Sequence, residues 1–291
     1  MKIRKVSFCG LVLLTLSSCE FNKSARKDFI TGAVSKGDGI GVDEVVVQSN
    51  GKEAKGNVFL FGEQINLLFQ NVKGLKRIDN KNYPGMAIFV VKNERDTVLS
   101  NADILKDATD LNPLQLNTYF TAVMPHQHNE KYKVIVNIWD KKGDGKFYYE
   151  LPFTVKGSDV HDIKSNGISY STIYLWNETS NSVVFNDSIG IENDYMLFLE
   201  GVAGLETKNG KVFPVLSIDL RDANDHILIS NPNLLETYAT KGVDPHELRD
   251  QLRASFSFTQ GDLVNPCTLT VILKDQLSSK EISVISKLTI Q

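Results

Sequence analysis

Met124-Pro125-His126-Gln127-His128 gathers two imidazoles and a thioether within one short stretch. Ligands of that softness suit copper, or zinc with a further donor. The pattern around it points elsewhere. Phe120, Ala122 and Met124 alternate as one apolar face, which makes Met124 a core residue and leaves His126 and His128 at a strand end or loop. No metal is expected, and these two histidines are the only weak candidates. Asp140-Lys141-Lys142-Gly143-Asp144-Gly145 has the outline of a calcium loop. Such loops need oxygen donors at the first, third, fifth and twelfth positions, and here the third is Lys142 and the twelfth Leu151. A hairpin turn fits better, since the glycines reach positive φ and the charges stay in water. Cys267 falls on an inward strand position and reads as an inert buried thiol. The chain has no G-x-S-x-G, and the carboxylates Asp222 and Asp225 lie in a turn. No catalytic residue and no cofactor is expected.

The residues most able to recognise something are aromatic. Trp139 falls on the strand face opposite Val136 and Ile138, and Tyr148 on the face opposite Phe147 and Tyr149. A hairpin closing around Gly143 makes them candidate cross-strand neighbours. Tyr174 and Trp176 form a second outward pair. Flat rings of this kind stack on sugars or anchor a protein partner; the competing reading is sheet packing, or burial between domains.

The elements that hold these rings are β-strands, and they occur twice. Gly39-Ile40-Gly41-Val42 matches Gly167-Ile168-Ser169-Tyr170, and Ile65 to Phe69 matches Tyr195 to Leu199. Val72, Gly74 and Leu75 match Val202, Gly204 and Leu205, and Tyr83-Pro84 matches Phe213-Pro214. Ser100-Asn101 matches Ser230-Asn231, Ile104-Leu105 matches Leu234-Leu235, and Asp140 matches Asp275. Further pairings set Pro113 and Leu116 against Pro245 and Leu248, and Phe120, Ala122 and Met124 against Leu252, Ala254 and Phe256. A register this steady is a tandem duplication. Trp139 aligns with Lys274, so the copies differ at that position. Runs such as Tyr132-Val134-Val136-Ile138 and Cys267-Leu269-Val271-Leu273 alternate with period two, the mark of strands with one face on a core. About seven strands per copy predict two tandem immunoglobulin-like β-sandwiches, an all-β fold, with residues 39–156 and 163–291 as the repeats and 157–162 as linker. Ala102 to Leu105 and Pro232 to Tyr238 read as short helices capped by Asn101 and Asn231.

The N-terminus reads differently. Lys2, Arg4 and Lys5 precede an apolar run from Val6 to Leu16, which is too short to span a bilayer and has the form of a signal peptide, residues 1–18. The run ends in Leu16-Ser17-Ser18-Cys19, which resembles the lipobox of bacterial lipoproteins. The resemblance implies cleavage after Ser18 and lipidation of Cys19, with two or three acyl chains holding the protein to a membrane. Glu20 follows, where an Asp would favour inner-membrane retention, and the style of the chain is similar to Bacteroidota envelope lipoproteins. The resemblance thus implies the outer membrane, on its periplasmic or its outer face. Residues 19–38 are polar and aperiodic and read as a flexible tether. The formal charge of −3 becomes more negative once Lys2, Arg4 and Lys5 leave with the signal, so nucleic acid is not an expected partner. With Cys9 removed and Cys19 acylated, Cys267 is left without a disulfide mate.

These features favour a non-catalytic envelope lipoprotein that binds another protein or forms part of an outer-membrane assembly. Two rivals are a carbohydrate-binding or adhesion module using the four aromatic residues, and a hydrolase whose site assembles between the domains.

Overall fold

The computed structural model describes residues 23–105, 107–112, 114–125, 130–248, 252–258 and 263–291. Ser18, Cys19, His126 and His128 lie outside them.

The first half contributes β1 (Lys23–Lys27), β2 (Val34–Asp38), β3 (Glu44–Ser49), β4 (Lys52–Glu53), β5 (Val58–Leu60), β6 (Gln64–Val72), β7 (Pro84–Lys92), β8 (Asp96–Asn101), β9 (Leu114–Thr121), β10 (Tyr132–Asp140) and β11 (Lys146–Lys156). One sheet runs β1-β2-β11-β10-β7-β8, with β5 on β11, and the other β4-β3-β6-β9. The second half contributes β12 (His161–Asn166), β13 (Thr172–Asn177), β14 (Ser182–Val183), β15 (Ser188–Ile189), β16 (Tyr195–Glu200), β17 (Pro214–Arg221), β18 (Ile227–Asn231), α1 (Glu236–Lys241), α2 (Pro245–Leu248), β19 (Leu252–Phe256), β20 (Cys267–Asp275) and β21 (Glu281–Ile290). Its sheets are β12-β21-β20-β17-β18, with β15 on β21, and β14-β13-β16-β19. The protein is a tandem pair of immunoglobulin-like β-sandwiches.

Alternation builds each core. Tyr132, Val134, Val136 and Ile138 of β10 face Ile65, Leu67 and Phe69 of β6, and Leu269, Val271 and Leu273 face Leu197 and Leu199, all buried. Each such side chain removed from water stabilises the fold by about 1.5 to 3 kcal/mol. Met124 is buried beyond the end of β9, and Cys267 is buried in β20 as a free thiol.

The duplication is carried in detail. Pro84 pairs with Asp140 and Pro214 with Asp275. Ile104 N–H donates to Met86 and Leu234 N–H to Leu216, while Gly41 N–H donates to Lys73 and Ser169 N–H to Ala203. The same carboxylate device closes both copies. Buried Asp140 accepts from Lys76 N–H at 2.7 Å and Lys142 N–H at 2.9 Å; buried Asp275 accepts from Glu206 N–H at 2.9 Å and Leu277 N–H at 3.1 Å. In each copy this aspartate ties the last hairpin to the loop after β6 or β16.

Three sequence expectations need correction. Residues 23–38 form a hairpin, not a flexible tether: β2 pairs with β11 through five residues, from Lys146↔Asp38 to Glu150↔Val34, and β1 extends the sheet as its exposed edge. A fully exposed edge strand carries no apolar alternation, so its sequence reads as coil. No helix forms over Ala102 to Leu105, and α1 starts only at Glu236; Asn231 instead closes a turn by accepting from Asn233 N–H. The repeat alignment also slips late in the copy. Ile65 pairs with Phe120 and Tyr195 with Phe256, so Phe120 corresponds to Phe256 and Leu116 to Leu252. The parity of inward positions survives because the slip is an even number of residues.

Candidate functional site

Trp139 and Tyr148 lie on the outer face of the larger sheet in the first sandwich. Trp139 stands opposite Lys146 and Tyr148 opposite Asn137, so the two rings are diagonal neighbours rather than a facing pair. On its other side Trp139 pairs with Gly85. That glycine decides where the indole goes: a Cβ at position 85 would stand 2.1 Å from Trp139 Cε2, so the ring lies across the bare backbone of β7. In the second copy the corresponding pair is Val215 and Lys274, with no ring and no gap. The difference is compensated on both strands, large for small.

Beside the indole runs a groove of about 610 Å³ between β1-β2 and β10-β11, lined by Ala25, Gly37, Asn137, Trp139 and Tyr148. Its rim is basic. Lys23, Lys36 and Lys146 border it, against the single carboxylate of Asp38, which pairs with Lys23 at 3.6 Å. The Lys36 ammonium stands 5.8 Å from the centre of the Tyr148 ring, a cation–π contact. Tyr148 donates its hydroxyl to Glu150, which also meets Lys133 at 3.5 Å; burial first, and the Glu150 charge second, hold the phenol well above its ordinary range. The phenol therefore remains a neutral hydrogen-bonding group, and the surface is flat, partly apolar and positively rimmed.

The other aromatic pair has a different setting. Tyr174 stacks on Phe198 at 5.1 Å, meets Phe61 of the first sandwich in a tilted contact at 4.7 Å, and donates its hydroxyl to Glu200. Val183 of the neighbouring strand fills the space over Gly62, where a Cβ would come within 2.4 Å of it. Tyr174 is thus part of the contact between the two sandwiches. Trp176 is half-buried between Val183 and Met196 in its sheet.

At the junction, His161 falls in the segment that the sequence reads as linker, yet it opens β12 and is buried. Its ring is 8% exposed; Nδ1 lies 2.8 Å from Ser286 Oγ, and Nε2 is buried without a hydrogen-bond partner. Burial lowers its pKa to about 4, so the ring is neutral near pH 7. Asp159 and Asp162 border the same depression but bond to Lys156 and Lys164, and Ser286 is fully buried. The pair is a core contact, not an accessible nucleophile with its base. β12 is mostly polar and exposed, so only its pairing with β21, which sets His161 opposite Ser286, shows that the ring is buried. Among the described residues no group of three or more His, Cys, Asp or Glu side chains is arranged to hold a metal, and no helix is long and apolar enough to cross a membrane.

No family model matches the chain, and no curated protein matches it. Among solved structures, it is similar to fibronectin(III)-like modules of Clostridium thermocellum CbhA, at 10% identity over 84% of this chain and 94% of that one, with a TM-score of 0.21. It is also similar to trypsin-activated alpha-2-macroglobulin from Escherichia coli, at 10% identity and a TM-score of 0.24, covering 89% of this chain but only 18% of that one. Likenesses this distant carry no functional argument, and the fold rests on the strand pairing itself.

Proposed function

We propose that the protein is a non-catalytic envelope lipoprotein, held to the outer membrane through Cys19, whose first sandwich binds an envelope protein in the groove beside Trp139. The observation that carries this is the reciprocal change of Gly85 and Trp139 against Val215 and Lys274. A glycine that removes its own side chain so that an indole can lie flat creates a ready aromatic surface in one copy alone. Indoles in partly desolvated settings are the usual energetic centres of protein interfaces. The lysine rim favours an acidic partner surface and speeds its encounter. The second sandwich, joined through Tyr174 and Phe61, acts as a spacer.

The test is a photo-cross-linking residue in place of Lys146, in intact cells. A stoichiometric envelope-protein adduct that disappears when Trp139→Ala is added supports the reading. The absence of any adduct above the level seen from an exposed site on the second sandwich refutes it.

A second reading has its own observation. The indole across Gly85 and the ammonium of Lys36 over Tyr148 together suit an acidic glycan, whose sugar faces stack while its carboxylates meet the lysines. Retention of the whole protein on an acidic polysaccharide, lost with Trp139→Ala, would favour it over a protein partner.

A further inference from the structure

The hairpin of β1 and β2 carries two apolar side chains held out into solvent. Phe29 is 91% exposed and Ile30 86%. They are not on a loose loop. Asp28 accepts from Ile30 N–H at 2.7 Å, Asp28 N–H donates to Ala33 and Gly32 N–H to Asp28, and Asn57 donates to both Thr31 and Pro152 carbonyls. These bonds fix the turn, and the two apolar side chains are left as its outward tip. The hairpin is also basic within an acidic chain: Lys23, Arg26, Lys27 and Lys36 stand against Asp28 and Asp38. Lys23, Ala25 and Lys27 alternate onto the outer sheet face, and the Asp28 carboxylate is turned into its own backbone.

Position in the chain says what covers this edge. Cys19 and Lys23 are four residues apart, at most about 14 Å along a fully extended chain. An acyl-bearing residue sits at the bilayer surface, so β1 begins there. The tip lies roughly 20 Å further along, six or seven residues at about 3.3 Å each. One end of the hairpin being pinned, contact of the other end is an intramolecular event with a high effective concentration.

We propose that the β1–β2 hairpin meets an anionic lipid surface by its tip and free edge, with Phe29 and Ile30 in the headgroup layer and Lys27 against lipid phosphates, the groove beside Trp139 staying open. The proposal rests on the reading that Cys19 is acylated. It makes the anchor a two-point contact, which fixes how the first sandwich stands on the membrane. Basic residues along the edge attract anionic headgroups, and apolar side chains at the tip enter the interface, as at other peripheral membrane contacts.

The experiment uses the full mature protein with Phe29→Trp, reconstituted in vesicles of phosphatidylethanolamine and phosphatidylglycerol, with the unsubstituted protein as background for its two native tryptophans. Mass measurement and flotation report acylation and anchoring independently. The expected result is that lipids brominated near the headgroup reduce the added indole's emission by about half while aqueous iodide has little effect, and that Lys27→Glu weakens the lipid quenching about twofold. If the protein floats but the added indole is quenched by iodide and not by bromolipid, the hairpin proposal is overturned and the anchor stands. If the indole is shielded from both quenchers, a second copy covers the tip and the proposal is equally overturned. A protein that is neither acylated nor floats overturns the anchor reading, and the hairpin proposal with it.

Discussion

At the scale of single residues, buried polar side chains set the fine structure and its response to pH. His161 has a folded pKa of about 4 against an ordinary value of 6.5. The unfolded chain therefore binds the proton more readily, and the stabilisation from the neutral ring is complete above pH 6.5 and lost as pH falls toward 4. The difference is worth about 3 kcal/mol. Thermal unfolding followed between pH 7 and pH 4 should show this decline, and His161→Gln should flatten it; an unchanged slope would reject the assignment. Asp222 and Asp275, held below the usual carboxylate range, lose their contribution only at still lower pH, so the two effects separate. Asp140 and Asp275 do comparable work in the two copies. Replacing either with Ala strands two backbone N–H groups and should cost about 2 kcal/mol by denaturant unfolding, whereas Asn, which keeps an acceptor, should cost less. That Asp140 and Asp275 correspond was legible from the sequence. Their shared job was not, because the partners Lys76 and Glu206 lie more than sixty residues away in the chain.

At the scale of elements, period-two alternation made β7, β10, β11, β17 and β20 legible, since each has one face on a core. The strands that escaped were those without such a face. β1 is exposed at every residue, and its polarity is what protects an unpaired sheet edge from joining another chain. The slip between Phe120 and Leu252 arose where the second copy inserts the short turn of α2, a loop change that alternation does not register. The groove was half legible: Trp139 and Tyr148 were visible as outward rings, but Gly85 was not, because pairing of β7 with β10 is a non-local fact. The pair is testable as a cycle. Gly85→Val alone forces the indole aside and should destabilise by about 1 to 3 kcal/mol. Adding Trp139→Lys recreates the Val215–Lys274 pair of the second copy and should restore most of the stability while abolishing partner capture. If the double variant is as unstable as Gly85→Val alone, the two positions are not coupled as the geometry requires.

At the scale of the whole molecule, the copies are joined by more than the short segment between β11 and β12. Phe61 meets Tyr174, and Val183 sits against Gly62, so the β13–β14 hairpin of the second sandwich closes part of the first sandwich's core. The aromatic contact contributes about 1 kcal/mol beyond the area it buries. A connection of this kind holds the second sandwich at a fixed angle to the first, and through the β1–β2 hairpin the first would be fixed to the membrane. Tyr174 alternates with buried Ile173 and Leu175, which is why it reads from the sequence as an outward binding residue. Tyr174→Ala should leave each sandwich folded, because the half-buried ring lies at the margin of both interiors, but should uncouple them. The expected outcome is a broader or split unfolding transition by calorimetry and a larger radius of gyration in small-angle scattering. Phe61→Ala should uncouple the sandwiches too, but because Phe61 is a buried member of the first core it should also destabilise that sandwich by about 3 kcal/mol. A single sharp transition with an unchanged scattering profile in both variants would mean that the segment between β11 and β12, with Ser158 bonded to Phe185, fixes the geometry without the rings.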